Sequence, residues 1–371
     1  MRADRSPGVA QNDTGAGPNK TFSSRIRDWQ RSHGRHDLPW QNTRDPYRIW
    51  LSEVMLQQTQ VGAASAYFTR FLERFPDLAS LAAADLDDVM PYWAGLGYYS
   101  RARNLHACAR AIARDHGGTF PADAITLASL PGIGRSTAAA IAVFAFGAHA
   151  AILDGNVKRV LCRHFAIEGF PGAGAVERRL WEIAEAELPK RGIEAYTQGL
   201  MDLGASVCAR RLPRCESCPV ASTCAARALD RVDEFPERRP KKALPRRRTS
   251  MLVMLRHSEV LLERRAPSGI WGGLWSLPES SADDLRGVRR EARLRHAVLE
   301  ARITPIAPIE HQFTHFGLTI EPWLVEVLRL APHAAEAGST WLPLADLDGA
   351  ALPAPVAKLL RRLRQAAPGQ V

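Results

Sequence analysis

No stretch of the chain approaches 18 uninterrupted apolar residues, which excludes a transmembrane helix. No signal peptide is expected in Met1 to Lys20, which carries charges with Gly, Pro and Asn and has no apolar core. No internal repeat is found. Cysteine is scarce and unevenly spread: of six in all, four fall between Cys208 and Cys224, and Cys108 and Cys162 stand alone. That distribution is no disulfide framework, and in a reducing compartment such a cluster reads as metal ligation. Cytoplasmic residence without membrane association is the expectation.

What is present is the composition of ordinary folded domains, 46% hydrophobic and 24% charged over 371 residues, enough for two or three domains. Lys and Arg outnumber Asp and Glu by 49 to 39, a net charge of +10. A balance of this sign suits a polyanionic partner, since phosphate neutralisation releases counterions, although many basic proteins only gain solubility from it.

The organisation changes along the chain. Residues 1–20 read as a disordered tail. From 21 to 228 apolar residues recur at three- and four-residue intervals, clearest in Leu51 to Val61, Leu81 to Tyr92, Ser136 to Phe146 and Val157 to Phe165, so this part is predicted all-α. Residues 229–248 carry Pro236, Pro240 and Pro245 with a basic run ending in Arg246 to Arg248, and read as a solvated linker. Beyond it, residues 249–371 read as α+β. Strands are predicted at Met251 to Leu255, Val260 to Arg264, Ile309 to Phe313 and Leu318 to Val327, and helices at Ser281 to Val298 and Pro355 to Gln365.

Cys208, Cys215, Cys218 and Cys224 have the spacing C-x6-C-x2-C-x5-C. Paired Cys-x-x-Cys knuckles would favour zinc, and only one is present. The uneven loops of one short segment suit four thiolates around a cubic iron–sulfur cluster, with zinc as the alternative. Arg210, Arg211 and Arg214 lie in the first loop, either as phosphate contacts or as a solvated basic stretch. A glycine turn, Leu130 to Thr137, sits between two helical stretches. Gly132 and Gly134 there permit positive φ and close backbone approach, and the helix that follows turns its N-terminal N–H groups outward, as a phosphate requires. With Leu130-Pro131 ahead of it, the segment resembles a helix–hairpin–helix motif.

Two acids stand out. Asp45-Pro46 starts a helix on which Glu53 has Ile49, Trp50 and Leu56 at helical spacing, and partial burial there would let it donate a proton. A helical glutamate is more commonly just solvated. Asp154 precedes a helical run, where an aspartate is normally an N-cap. Capping should depress its pKa and keep it anionic, as stabilisation of a developing cation requires.

Leu38-Pro39-Trp40, Trp50 to Gln60, Gly95-Leu96-Gly97-Tyr98-Tyr99 and Ile152 to Val160 together resemble the MutY-type adenine DNA glycosylases, and the hairpin and four cysteines resemble the wider endonuclease III superfamily. The resemblance runs from about Trp29 to the C-terminus and is most specific around Glu53. It implies a multidomain protein. A helical glycosylase domain would contain the hairpin (130–137) and an iron–sulfur subdomain built from the N-terminal helix and the chain after about residue 156, with the cluster loop at 208–224. One 4Fe–4S cluster is implied, and duplex DNA would lie in the groove between the two helical parts. The implied enzyme is monomeric, bacterial and nucleoid-associated, and excises adenine mispaired with 8-oxoguanine or guanine.

The adenine must leave the stack to be reached. Glu53 would then protonate the base, and Asp154 would stabilise the oxocarbenium-like sugar. The resemblance further assigns Trp40, Leu56, Asn156 and Gln198 to the base and sugar pocket, and Gln58 and Tyr98 to wedging into the duplex. Gly132, Gly134, Arg135 and Ser136 would contact DNA. Relatives that also cut the strand carry lysine where Ser136 stands, so a monofunctional glycosylase is expected, with Lys158 the one amine that could trap product incidentally.

Trp271 to Pro278, after two strands, resembles the Nudix fold. Glu291 lacks its carboxylate partners, because Leu294 and Arg295 occupy the positions where paired glutamates should follow. No Mg2+ requirement is therefore expected. The family reading is 8-oxoguanine recognition through Phe313, Thr314 and His315, against a plain reading of Phe313 as a core residue and His315 as a surface one. Three rival functions stand against this: a bifunctional endonuclease III-like lyase, an idle iron–sulfur DNA-binding scaffold, and a nucleotide pyrophosphatase. Ser136, the two acids and the missing carboxylates oppose them in turn.

Overall fold

A computed structural model describes residues 20–239, 244–266, 269–332 and 338–366. The expected tail therefore lies almost wholly outside the described residues, as do positions 240–243 of the expected linker.

In chain order the helices begin with α1 (Phe22–His33), α2 (Pro46–Leu56), α3 (Val61–Arg74), α4 (Leu78–Ala83), α5 (Leu86–Trp93) and α6 (Ser100–Asp115). They continue with α7 (Ala124–Ser129), α8 (Arg135–Phe146), α9 (Gly155–His164), α10 (Gly174–Ala186), α11 (Ile193–Asp202) and α12 (Ala225–Ala228). The strands β1 (Arg246–Arg256), β2 (Glu259–Arg264), β3 (Trp275–Ser276) and β4 (Glu279–Ser280) precede α13 (Leu285–His296). After it come β5 (Val298–Pro305), β6 (Ile309–Gln312), β7 (Gly317–Leu330), β8 (Ser339–Pro343) and α14 (Ala354–Ala366).

Two compact units emerge among the described residues. One joins the chain up to residue 36 to 142–239; the other joins 37–141 to the described residues after 243. In the first unit, Thr21 caps α1 by accepting from the Ser24 N–H. Phe22 then packs on His164, with ring centroids 4.4 Å apart, and on Phe165. At the end of α11 the buried Asp202 accepts from Arg35 Nε at 2.7 Å and from Gln198 Nε2 at 2.9 Å, which ties the chain after α1 to α11. A five-residue π-helical turn, Leu203–Val207, then delivers the chain to Cys208; such turns recur at functional sites.

The expected solvated linker is partly docked. Phe235 is buried, and Arg163 donates to the carbonyl oxygens of Val232 and Phe235. Arg246 to Arg248, expected in that linker, open β1 instead.

In the second unit, the single helix expected over Leu81 to Tyr92 is two. The chain leaves α4 at Ala84 in an extended conformation and restarts at Asp85. The Leu51 to Val61 pattern also breaks, at Gln58, whose φ is +59°. The C-terminal sheet runs β3-β2-β1-β7-β5, with β4 on β1, β6 on β7 and β8 on β2. It is mixed: β1 and β7 pair in parallel from Arg246 opposite Gly317 to Leu255 opposite Glu326, and the other pairings are antiparallel. Helix α13 lays Val288 and Ala292 on Leu252, Met254, Val325 and Val327 of the sheet. It is shorter than expected because Ala297, at φ +53°, ends it and Val298 begins β5.

Candidate active site and nucleic-acid interface

The two acids belong to different units. Glu53 sits half-buried on α2 between buried Ser52 and Val54. The helix starts as expected, with Asp45 accepting from the Tyr47 N–H at 2.9 Å and Pro46 in its first turn. Leu56 is its last residue, and beyond it Gln58 is exposed. Trp40 is buried edge-on to Phe68, with centroids 5.5 Å apart.

Asp154 is the N-cap of α9, accepting from the Val157 N–H at 2.7 Å, while Asn156 Nδ2 stands 3.3 Å from its other oxygen. Asn156 is itself gripped: its Oδ1 accepts from Arg159 Nη2 at 2.8 Å. A Cβ on Gly204 would come within 2.6 Å of the Asn156 Cβ, so only glycine lets the π turn approach α9 here. The cap exists, but its expected consequence does not follow. Burial raises the Asp154 pKa, outweighing the Val157 and Asn156 N–H groups and the Arg159 charge, which pull the other way. The reason is desolvation of the charged form, a larger effect than one or two hydrogen bonds.

Lys158, four residues after Asp154, is paired with Glu177 at 2.6 Å. Gln198 is half-buried and directed at Asp202.

The hairpin forms between α7 and α8. Gly132 has φ +75°, and a Cβ there would meet the Asn104 Cβ at 2.6 Å. Gly134 was expected to share this freedom; its φ is not positive and the space around it is open. Gly134 and Arg135 are exposed, and Ser136 lies half-buried in the first turn of α8.

Cys208, Cys215, Cys218 and Cys224 line one small cavity together with Arg163, Val207 and Val232. Arg163 Nη1 is 3.4 Å from Cys208 Sγ. Among the described residues, no three His, Cys, Asp or Glu side chains converge as a site for a single metal ion. Arg210 and Arg211 are exposed beside Leu212, which is 90% exposed.

Phe313, Thr314 and His315 form the tight turn between β6 and β7, closed by Phe313 N–H to Phe316 O at 2.9 Å. Thr314 and His315 are exposed. Phe313 is only half-exposed, stacked on Phe316 at 4.5 Å and edge-on to His311 at 4.6 Å. This turn and Tyr98 line a cavity of about 570 Å³ shared with Arg103, Trp271 and His311. Arg103 Nη1 donates to Gly272 O at 2.6 Å, joining α6 to the Trp271 loop.

Arg103 and His311 at this cavity escaped the sequence reading, as did the buried Arg101 of α6, and Trp271 was read only as part of the Nudix-like segment. Arg101 left a signal, because 101, 105, 108 and 112 share one helical face and the other three are Leu, Cys and Ile. A charge on a buried stripe marks an arginine with internal work.

Residues 51–186 match the HhH-GPD superfamily of base excision DNA repair proteins, and residues 250–362 match the NUDIX domain. The class is thus a helix–hairpin–helix DNA N-glycosylase with a Nudix-like C-terminal domain. The adenine DNA glycosylase of Buchnera aphidicola subsp. Acyrthosiphon pisum is 34% identical over 346 residues, 93% of this chain and 98% of that protein. The adenine DNA glycosylase of Homo sapiens is 32% identical over 412 residues, 94% of this chain and 75% of that protein. A solved thermostable thymine-DNA glycosylase superposes with a TM-score of 0.50 at 31% identity, covering 56% of this chain and 95% of its own. This chain belongs to the adenine DNA glycosylase family. No helix among its described residues is long and apolar enough to cross a membrane.

Proposed function

We propose that this protein is a monofunctional glycosylase acting on duplex DNA, hydrolysing the N-glycosidic bond of adenine opposite 8-oxoguanine or guanine. Glu53 protonates the extruded base at N7. Asp154 faces the positive charge that develops on the sugar, Asn156 orients groups around it, and water completes the reaction to leave an abasic site. Trp40, Leu56 and Gln198 belong to the base pocket. Gln58 and Tyr98 enter the duplex, and the hairpin from Gly132 to Ser136 takes a phosphate at the α8 N-terminus.

The observation that carries this reading is the setting of Asp154. Its anion is costly because of burial, yet it is aimed by two N–H donors. A developing oxocarbenium ion is the partner that offsets that cost, which is electrostatic preorganisation toward the transition state. The absence of strand cleavage rests on serine at 136 and on the engagement of Lys158 by Glu177.

The four cysteines fit a 4Fe–4S cluster: all four line one cavity with Arg163, whose guanidinium lies 3.4 Å from Cys208 Sγ and suits the negative charge of a thiolate-ligated cluster. Bound there, it would fix the loop carrying Arg210, Arg211 and Arg214. Recognition of 8-oxoguanine falls to the turn of Phe313, Thr314 and His315, with Phe313 as a supporting ring and the two exposed side chains as contacts. Mg2+ is not needed, since Arg295 stands at a position where a metal-binding carboxylate would be required.

Incubation with a duplex carrying adenine opposite 8-oxoguanine should release adenine and leave a strand that breaks only in alkali. Intact adenine overturns the activity, and nicking without alkali overturns the monofunctional assignment. Protein purified anaerobically should be brown; a colourless, fully active protein with stoichiometric zinc overturns the cluster.

A further inference from the structure

Both residues expected to enter the duplex, Gln58 and Tyr98, sit at positive φ, +59° and +47°. Residues other than glycine rarely adopt this conformation, and it persists only where the surroundings impose it. Both are exposed. One buried group reaches the residues beside each of them. The guanidinium of Arg101, on the first turn of α6, donates from Nη1 to Val54 O and Met55 O, both at 2.9 Å. From Nη2 it donates to Thr59 Oγ1 at 3.2 Å and to Leu96 O and Gly97 O, both at 3.1 Å.

Val54 O, Met55 O and Thr59 Oγ1 lie at the end of α2 and just past Gln58, and Leu96 O and Gly97 O lie in the turn that presents Tyr98. The guanidinium also lies 5.2 Å from the Trp93 ring and 5.7 Å from that of Tyr98. It stays cationic at neutral pH, since burial lowers its pKa only to about 10. Five oxygens arranged around a planar fork are a geometry that no ammonium reproduces.

We propose that Arg101 is a positioning residue for base extrusion, its single guanidinium fixing in one geometry the two strained turns whose tips, Gln58 and Tyr98, enter the duplex. The proposal rests on the wedge roles given under Proposed function. It goes beyond them by making the two wedges one mechanical unit, organised by a residue that touches neither DNA nor the reacting atoms. It also gives the end of the Glu53 helix the same anchor, through Val54 and Met55.

The test combines Arg101→Lys with Tyr98→Ala and Gln58→Ala in double-mutant cycles. Single-turnover adenine excision is read beside the fluorescence of 2-aminopurine placed at the adenine position, which reports unstacking. Arg101→Lys keeps charge and bulk, and circular dichroism and thermal midpoint establish its folding; Arg101→Met serves as the harsher variant. The expected result is a loss of excision of at least about tenfold with a matching loss of 2-aminopurine signal, and almost no further loss when Tyr98→Ala is added. Losses that multiply, or a folded Arg101→Lys with normal unstacking, overturn the role of Arg101. Normal unstacking in Gln58→Ala and Tyr98→Ala singly removes the wedge reading itself, and this proposal with it.

Discussion

Two carboxylate sites in this chain are treated in opposite ways. In the sheet domain, Arg295 lies between Glu263, at 2.6 Å, and Glu291, at 3.5 Å, and also donates to Glu279 O. Ser280 Oγ donates to the other oxygen of Glu291. An internal cation occupies the centre of this cluster, so nothing there calls for an external one. Around Asp154 the nearby arginine is spent elsewhere: Arg159 donates to Cys208 O, Gly204 O and Asn156 Oδ1. Its charge helps, yet the carboxyl stays above the usual carboxylate range. A compensated carboxylate serves structure, and under the proposed mechanism the partly uncompensated Asp154 awaits a charge that arrives with the substrate.

The largest expected effects lie on the acids themselves. Glu53→Gln removes the proton donor and should lower single-turnover excision by about 10²–10⁴-fold with duplex binding retained. Near-normal rates would remove Glu53 from the mechanism. Asp154→Asn should cost about 10²–10³-fold, the scale of one preorganised electrostatic contact.

The same substitution breaks the comparison in a second, independent way. Asn caps a helix as well as Asp does, so the cap survives. The raised pKa of Asp154 means that the folded state favours the neutral carboxyl. Its contribution is fully present below the unfolded value near 3.9 and is lost as pH rises through the folded value. Asp154→Asn should therefore melt higher than wild type at pH 7, and the gap should close as pH falls toward 4. A variant that is both inactive and less stable at pH 7 would reduce Asp154 to an ordinary cap.

Much of this was legible in the sequence, for identifiable reasons. Asp45-Pro46 and Asp154 are local signals, and helix starts are decided by the few residues around them. The strongly periodic segments became α8 and α9 almost to the residue. What was missed depends on burial and on distant partners. The Asp154 cap could be read from its neighbours, whereas the desolvation that reverses its pKa could not. β5 and β8 alternate weakly and exist because β7 and β2 pair with them. Phe313 lies in the turn proposed for recognition, and Phe316 and His311 hold half of it inward.

Next in size is lesion preference. Replacing Phe313 and His315 together with Ala should cost about 1–3 kcal/mol of discrimination between adenine opposite 8-oxoguanine and adenine opposite guanine, the scale of one specific base contact. Because Phe313 supports the turn, His315→Ala alone should show part of the loss with no change in melting. Equal preference in wild type and the double variant would assign discrimination to the helices.

The smallest expected effect tests the compensated site. Arg295 is partly exposed, so its ion pairs stabilise the fold by at most about 1 kcal/mol. Arg295→Gln should lower the melting temperature slightly and remove the guanidinium that bridges Glu263 and Glu291. Two carboxylates with the Ser280 hydroxyl and the Glu279 carbonyl form an oxygen-rich set suited to a hard divalent ion. Millimolar Mn2+ should then restore the melting temperature of Arg295→Gln while leaving wild type unmoved, and adenine excision should be the same in both. If Mn2+ stabilises the two proteins equally, Arg295 does not substitute for a metal, and the contrast with Asp154 loses its electrostatic basis.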